Sequence, residues 1–167
     1  MTMKTTHTYI SLMFLITVML AIVACKKDEV VDQPEINTAL LGDLIDVINF
    51  TSGGHYLYEL SFKNDGTFTE RSSSYGTYEE QDENELSGWF VRTGNFETHK
   101  NNLYCTFNKV VSWDSFYGGE PETTGATGTV FENCTYTIQN NTLELNYITY
   151  PADVPEVTVR EYHRAEN

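Results

Sequence analysis

The stretch YLYELSFKNDGTF, residues 56–68, decides the fold. Tyr56, Tyr58, Leu60 and Phe62 alternate with Leu57, Glu59, Ser61 and Lys63. Successive side chains of a strand point to opposite faces, so this period of two gathers the aromatic and aliphatic set on one side. Asn64-Asp65-Gly66 then supplies a three-residue hairpin loop with Gly in the left-handed region. That loop sets Phe62 opposite Phe68 with both on the same face, which a slip of one residue would destroy.

The same period continues along the chain. Leu103, Cys105 and Phe107 share a face, as do Cys134, Tyr136 and Ile138, then Leu143, Leu145 and Tyr147, and finally Val157 and Val159. Asn140-Asn141 suits a two-residue loop that needs positive φ twice, and it places Ile138 opposite Leu143. Strands are expected at 43–50, 56–63, 67–78, 86–97, 102–113, 128–138, 142–150 and 156–164. Thr, Tyr, Val and Phe dominate them, as suits strands, and no segment reads as a long amphipathic helix. Within the first strand LLGDLIDVI also reads as a short helix, and the third strand, polar on both faces, is expected to be bulged. The fold class is all-β. Eight sequential antiparallel strands close into an up-and-down barrel that has no free edge. A two-sheet β-sandwich with the same strands is the alternative.

Loop lengths alternate. Asn64–Gly66, Thr98–Asn101 and Asn140–Asn141 are short; Thr51–His55, Tyr78–Glu85, Asp114–Thr127 and Pro151–Pro155 are mostly longer. Alternate loops of an up-and-down barrel share an end. One end is therefore expected to be tight and plugged by Phe62, Phe68, Leu103, Ile138 and Leu143. The other is an open mouth of long loops, where binding concentrates. That mouth is acidic: Glu79, Glu80, Asp82, Glu83, Glu85, Asp114, Glu120, Glu122 and Asp153 lie on it with no Lys or Arg. Such a field repels an anionic fatty acid and tolerates a cation, a neutral glycan or a basic protein surface.

The chain has 167 residues, with 10 Lys and Arg against 24 Asp and Glu. This balance argues against nucleic acid, whose binding rests on Lys and Arg neutralising phosphates. The N-terminus stands apart. Lys4 precedes the run ISLMFLITVMLAIVA, residues 10–24, which as a helix rises about 22 Å. A bilayer core needs roughly 20 residues, so residues 1–24 read as a secretory signal; an uncleaved membrane anchor is the alternative. Residues 25–39 follow as a polar tether with a Pro, and residues 40–167 form the domain. One core is expected there, too small for a two-domain enzyme.

Ile22-Val23-Ala24-Cys25 resembles the lipobox of bacterial lipoproteins. The resemblance implies acylation of Cys25 and membrane anchoring; each buried CH₂ contributes about 0.8 kcal/mol and several chains hold firmly. Lys27-Asp28-Glu29 is similar to the export signal of surface lipoproteins of the Bacteroidota, which implies an outer-membrane, surface-exposed location. The domain itself resembles the lipocalin-like lipoproteins of that group. Leu40-Leu41-Gly42, the segment from Leu60 to Phe68 and the hairpin from Tyr136 to Leu145 carry the likeness. Gly42-Asp43-Leu44 departs from it by lacking the Trp that usually follows the opening Gly.

Little in the sequence points to catalysis. There is no nucleophile elbow, phosphate loop or zinc-protease pattern. His55, His99 and His163 lie on separate segments without metal-ligand spacing, and the acidic run 79–85 lacks the Gly of a calcium hand. No cofactor or metal is expected. Glu70, Glu132 and Glu161 fall on nominally inward faces and are the candidates for a carboxylate pair. A hairpin centred between residues 119 and 120 sets Cys105 opposite Cys134, bonded or merely packed, in a compartment that permits disulfides. Tyr56, Tyr58, Trp89, Trp113, Tyr136 and Tyr147 are the candidate ligand-lining residues. The expected function is a lipid-anchored, non-catalytic binding module for a small molecule, glycan or protein segment. The alternative is an accessory lipoprotein with a filled barrel that acts through its outer surface.

Overall fold

The computed structural model describes residues 35–51, 53–76 and 84–165. The signal segment, Cys25, the Lys27-Asp28-Glu29 triplet and the mouth acids Glu79, Glu80, Asp82 and Glu83 lie outside the described residues. Among the described residues there are nine strands: β1 (Gly42–Asn49), β2 (His55–Phe62), β3 (Thr67–Tyr75), β4 (Leu86–His99), β5 (Asn102–Asp114), β6 (Glu122–Thr124), β7 (Gly128–Gln139), β8 (Thr142–Thr149) and β9 (Glu156–Arg164). All pairings are antiparallel. The ring runs β1-β2-β3-β4-β5-β7-β8-β9 and returns to β1, with β6 added beside β5. This is a closed eight-stranded lipocalin-like barrel, not a sandwich. The segment after Leu41 is strand, and β6 is a short addition inside what reads as a loop.

Both hairpins keep the expected register. Phe62 pairs with Phe68 around Gly66, which has φ of 81°. Ile138 pairs with Leu143 around Asn140 and Asn141, at φ of 48° and 65°. The core sits at that end: Leu40, Leu44, Leu60, Phe62, Phe68, Phe96, Leu103, Leu143, Leu145 and Tyr162 are buried, and Ile138 packs against them.

The segment before β1 fastens this end shut. Glu35 pairs with Thr98 in β4. A 3-10 turn over Thr38–Leu40 is capped by Asn37, whose Oδ1 accepts from the Ala39 N–H at 3.0 Å. Asn37 Nδ2 donates to the Tyr136 hydroxyl at 2.8 Å, and that hydroxyl donates to the Lys100 carbonyl at 3.1 Å. Arg164, at the end of β9, donates to the carbonyls of Ala39 and Leu41. Gly42 makes room for it, since a Cβ there would lie 2.8 Å from Arg164 Nη1.

Three readings are corrected, all by register. Val157 and Val159 are exposed, at 65% and 56%. In β9 it is Thr158, Arg160 and Tyr162 that point inward, because Arg160 pairs with inward Leu145 and Tyr162 with inward Leu143. Cys105 pairs with Val130, and Cys134 with Leu103. Between them β7 carries two extra residues, with Phe131 and Asn133 at positive φ, so one uniform hairpin register does not hold. Both thiols are free and buried. In β5, Gly94 faces Phe107 while Thr93 faces Lys109, so Asn108 is bulged. The bulge shifts the inward set from odd to even positions and turns Trp113 to the outer wall.

Candidate functional site

Opposite the plug the barrel is hollow. Strand alternation sends Tyr56 and Tyr58 from β2, Glu70 and Ser72 from β3, Phe90 and Arg92 from β4, Phe131 from β7 and Tyr147 from β8 into one cavity of about 590 Å³. A neighbouring cavity of about 600 Å³ shares Tyr56, Ser72 and Phe90 and runs outward past Gly88, Ser112 and Asp114 to Tyr117, Gly118, Glu120 and Glu122. The two form a path from the rim into the interior. Among the described residues the short-loop end is plugged and the long-loop end is hollow, as expected from the loop lengths.

The cavity floor holds charges that binary patterning alone would keep outside. Glu70 and Arg92 are cross-strand partners, with Arg92 Nη1 3.3 Å from Glu70 Oε2. Glu70 is 6% exposed, and its Oε2 accepts no hydrogen bond. Burial raises its pKa, opposed by the nearby guanidinium groups of Arg92 and Arg160. The Arg92 guanidinium lies 4.7 Å from the Phe90 ring centre and 5.5 Å from that of Phe107. Arg160 Nε is 3.7 Å from Asp46 Oδ2, and its guanidinium rests 3.8 Å over the Tyr58 ring. Such stacks are attractive because the ring face is negative. Burial pushes the Tyr147 and Tyr162 phenols up, and both hydroxyls stay protonated at neutral pH.

Of the six candidate lining residues, Tyr56, Tyr58 and Tyr147 line the cavity. Tyr136 is held in the plug. Trp89 and Trp113 pair with one another on the face opposite Phe90 and Ser112 and reach the site only at its outer rim. Arg71 lies 5.2 Å over Trp89, and the Trp113 indole donates to the Gly119 carbonyl at 3.1 Å. Of the three inward glutamates, Glu70 points in. Glu132 is turned by the β7 bulge to the cavity rim, where it accepts from the Tyr150 hydroxyl. Glu161 faces solvent.

Sequence reasoning missed Asp46, Arg92 and Arg160. Their signal was present as charged residues at inward positions of otherwise apolar-in strands, but each reads equally well as a register error. Phe131 was hidden by the bulge. Among the described residues no three His, Cys, Asp or Glu converge as metal ligands. His55 stacks on Tyr75 at 4.6 Å, and His163 bonds Thr142 at 3.1 Å.

At the rim Asp114 accepts from the Phe116 N–H at 2.8 Å. Phe116 and Tyr117 stand 73% and 83% exposed, edge to face at 5.3 Å. Asp114, Glu120 and Glu122 line the outer cavity, which holds no Lys or Arg among its described residues. Fold and site thus define a barrel closed at one end and hollow, aromatic and acid-rimmed at the other. No protein family matches the chain, and no curated protein and no solved structure matches it significantly.

Proposed function

We propose that this chain is a lipocalin-like envelope lipoprotein, anchored through Cys25 and exported by Lys27-Asp28-Glu29, that captures a ligand in the open end of its barrel without catalysis. One observation carries the reading: the two ends differ. One is packed with aliphatic and aromatic side chains. The other keeps a cavity of about 590 Å³ walled by tyrosines, within the size range of small-molecule sites. The acidic rim favours neutral or cationic ligands over anions.

A filled barrel working through its outer wall is the second reading, favoured by the exposed Val157 and Val159. The experiment that separates the two is native mass spectrometry of the chain released from its own membranes in mild detergent. Binding predicts a mass above that of the acylated polypeptide which collapses to it on denaturation. A bare mass in both states contradicts it. The anchor is tested by Cys25→Ala, which is expected to move the mature chain from the membrane to the soluble fraction.

A further inference from the structure

We infer that the cavity floor is a subsite for a neutral amide edge, an N–H and a C=O side by side on a flat, apolar body. The inference rests on the cavity's being a ligand site and names the ligand chemistry. Glu70 and Arg92 sit opposite each other on neighbouring strands, both inward, and both line the cavity. Glu70 is all but buried, its Oε2 faces Arg92 Nη1 at 3.3 Å, and its carboxylate still borders the cavity. A ligand N–H that meets the carboxylate from the cavity side makes a charge-assisted hydrogen bond, stronger than a neutral one. Arg92 stays 31% exposed in its side chain. Its guanidinium carries five N–H groups, and beyond the Glu70 contact it offers donors to the cavity. Acceptor and donor therefore stand next to one another.

Charge decides which head fits. A carboxylate would gain Arg92 but meet Glu70 with like charge, after passing Asp114, Glu120, Glu122 and the rim Glu132. An ammonium would satisfy Glu70 but abut Arg92, 3.3 Å from that carboxylate. An amide gives its N–H to Glu70 and its C=O to Arg92, and brings no net charge into a poorly solvated site. The walls suit a flat body. In the eight-strand ring β2 and β7 are diametrically opposed, so Tyr56 and Tyr58 face Phe131, itself edge to face with Tyr147 at 5.0 Å. Aromatic rings on opposite walls favour a planar ligand between them.

The test uses three probes of one shape and different charge: benzamide, benzoate and benzylamine. Each is titrated into the full chain in lipid nanodiscs by ligand-observed NMR, against empty nanodiscs. Benzamide is expected to bind at least about tenfold tighter than either ion, a gap of about 1.4 kcal/mol. Glu70→Gln leaves the Arg92 charge unopposed and should reverse the order in favour of benzoate. Arg92→Gln should reverse it in favour of benzylamine. A misfolded variant would lose all three probes and could not exchange one preference for another. An ion binding tightest to the unaltered chain, an order unchanged by both variants, or no binding of any probe overturns the subsite. If native mass spectra still show a bound ligand in any of these cases, the subsite alone is wrong. A bare mass together with no probe binding removes the binding module as well.

Discussion

Arg160 on β9 reaches Asp46 on β1 across the least-paired seam of the barrel, Nε to Oδ2 at 3.7 Å. Backbone pairing of β1 with β9 joins Leu44 to Arg164 and Ile45 to His163 and then stops. On their other edges the two strands are paired throughout, β1 with β2 and β9 with β8. Above Ile45 the seam is therefore spanned by this ion pair and by Arg160 lying on Tyr58 from β2. Each partner's side chain is roughly one-fifth exposed, at 18% and 19%, which puts the pair between the surface and buried regimes.

Asp46→Ala is accordingly expected to cost about 1–3 kcal/mol, less than a fully buried pair and more than a surface one. Denaturant unfolding measures it. Hydrogen exchange should show residues 47–49 and 157–160 opening before Leu143–Tyr147, since strand edges without partners open locally. A neutral Asp46→Ala with uniform protection would mean that backbone pairing, not the ion pair, holds the seam.

Glu70 gives a pH dependence. Burial raises its folded-state pKa above the ordinary 4.5, despite the opposing guanidinium groups of Arg92 and Arg160. A carboxyl with a raised folded pKa binds its proton more tightly folded than unfolded. Its contribution is complete below the unfolded value and is lost as pH rises through the folded one. The stability of the unaltered chain relative to Glu70→Gln should therefore improve as pH falls from 7 toward 4.5. Unfolding midpoints of the two across that range are the check, and a gap that is constant or widens against the unaltered chain contradicts it.

The cysteines give a chemical test. Burial pushes the Cys134 thiol up to about 12 and that of Cys105 well above its ordinary value. The thiolate is the reactive form. In a Cys25→Ala chain at pH 8 a chromogenic disulfide reagent should label neither Cys105 nor Cys134 while the chain is native, and both on unfolding without reductant. Prompt native labelling would contradict the burial, and denatured chains without thiols would reveal a bond.

Much of this was legible in the residues, and the losses share one cause. The hairpins at Asn64–Gly66 and Asn140–Asn141 fix register locally, because their turn geometry admits few alternatives. Phe62, Phe68, Ile138 and Leu143 followed from them. Alternating loop length then gave the barrel its plugged and open ends. What failed lay beyond a bulge. Asn108 in β5 reverses the inward phase, so counting from Leu103 misplaces Trp113. The extra residues around Phe131 and Asn133 keep Cys105 and Cys134 from pairing directly across the strands, although both stay in one core. In β9 the apolar pattern itself misleads, because exposed Val157 and Val159 outscore inward Thr158 and Arg160 in hydropathy. A charge that folds inward to a partner on another strand reads equally well as a register error, and Asp46, Arg92 and Arg160 are of that kind, whereas Glu70 was placed inward from the alternation alone.

Among the described residues the mouth end of the barrel is hollow rather than packed core. Ser72, from β3, borders both cavities and is itself only 8% exposed, so Ser72→Phe drives a ring into that space. The most direct measurement is the unfolding free energy of this one variant. An empty mouth predicts a value within about 0.5 kcal/mol of the unaltered chain, as for substitutions that meet no special feature. A loss of about 1–3 kcal/mol, the usual result of overpacking a filled interior, would contradict it.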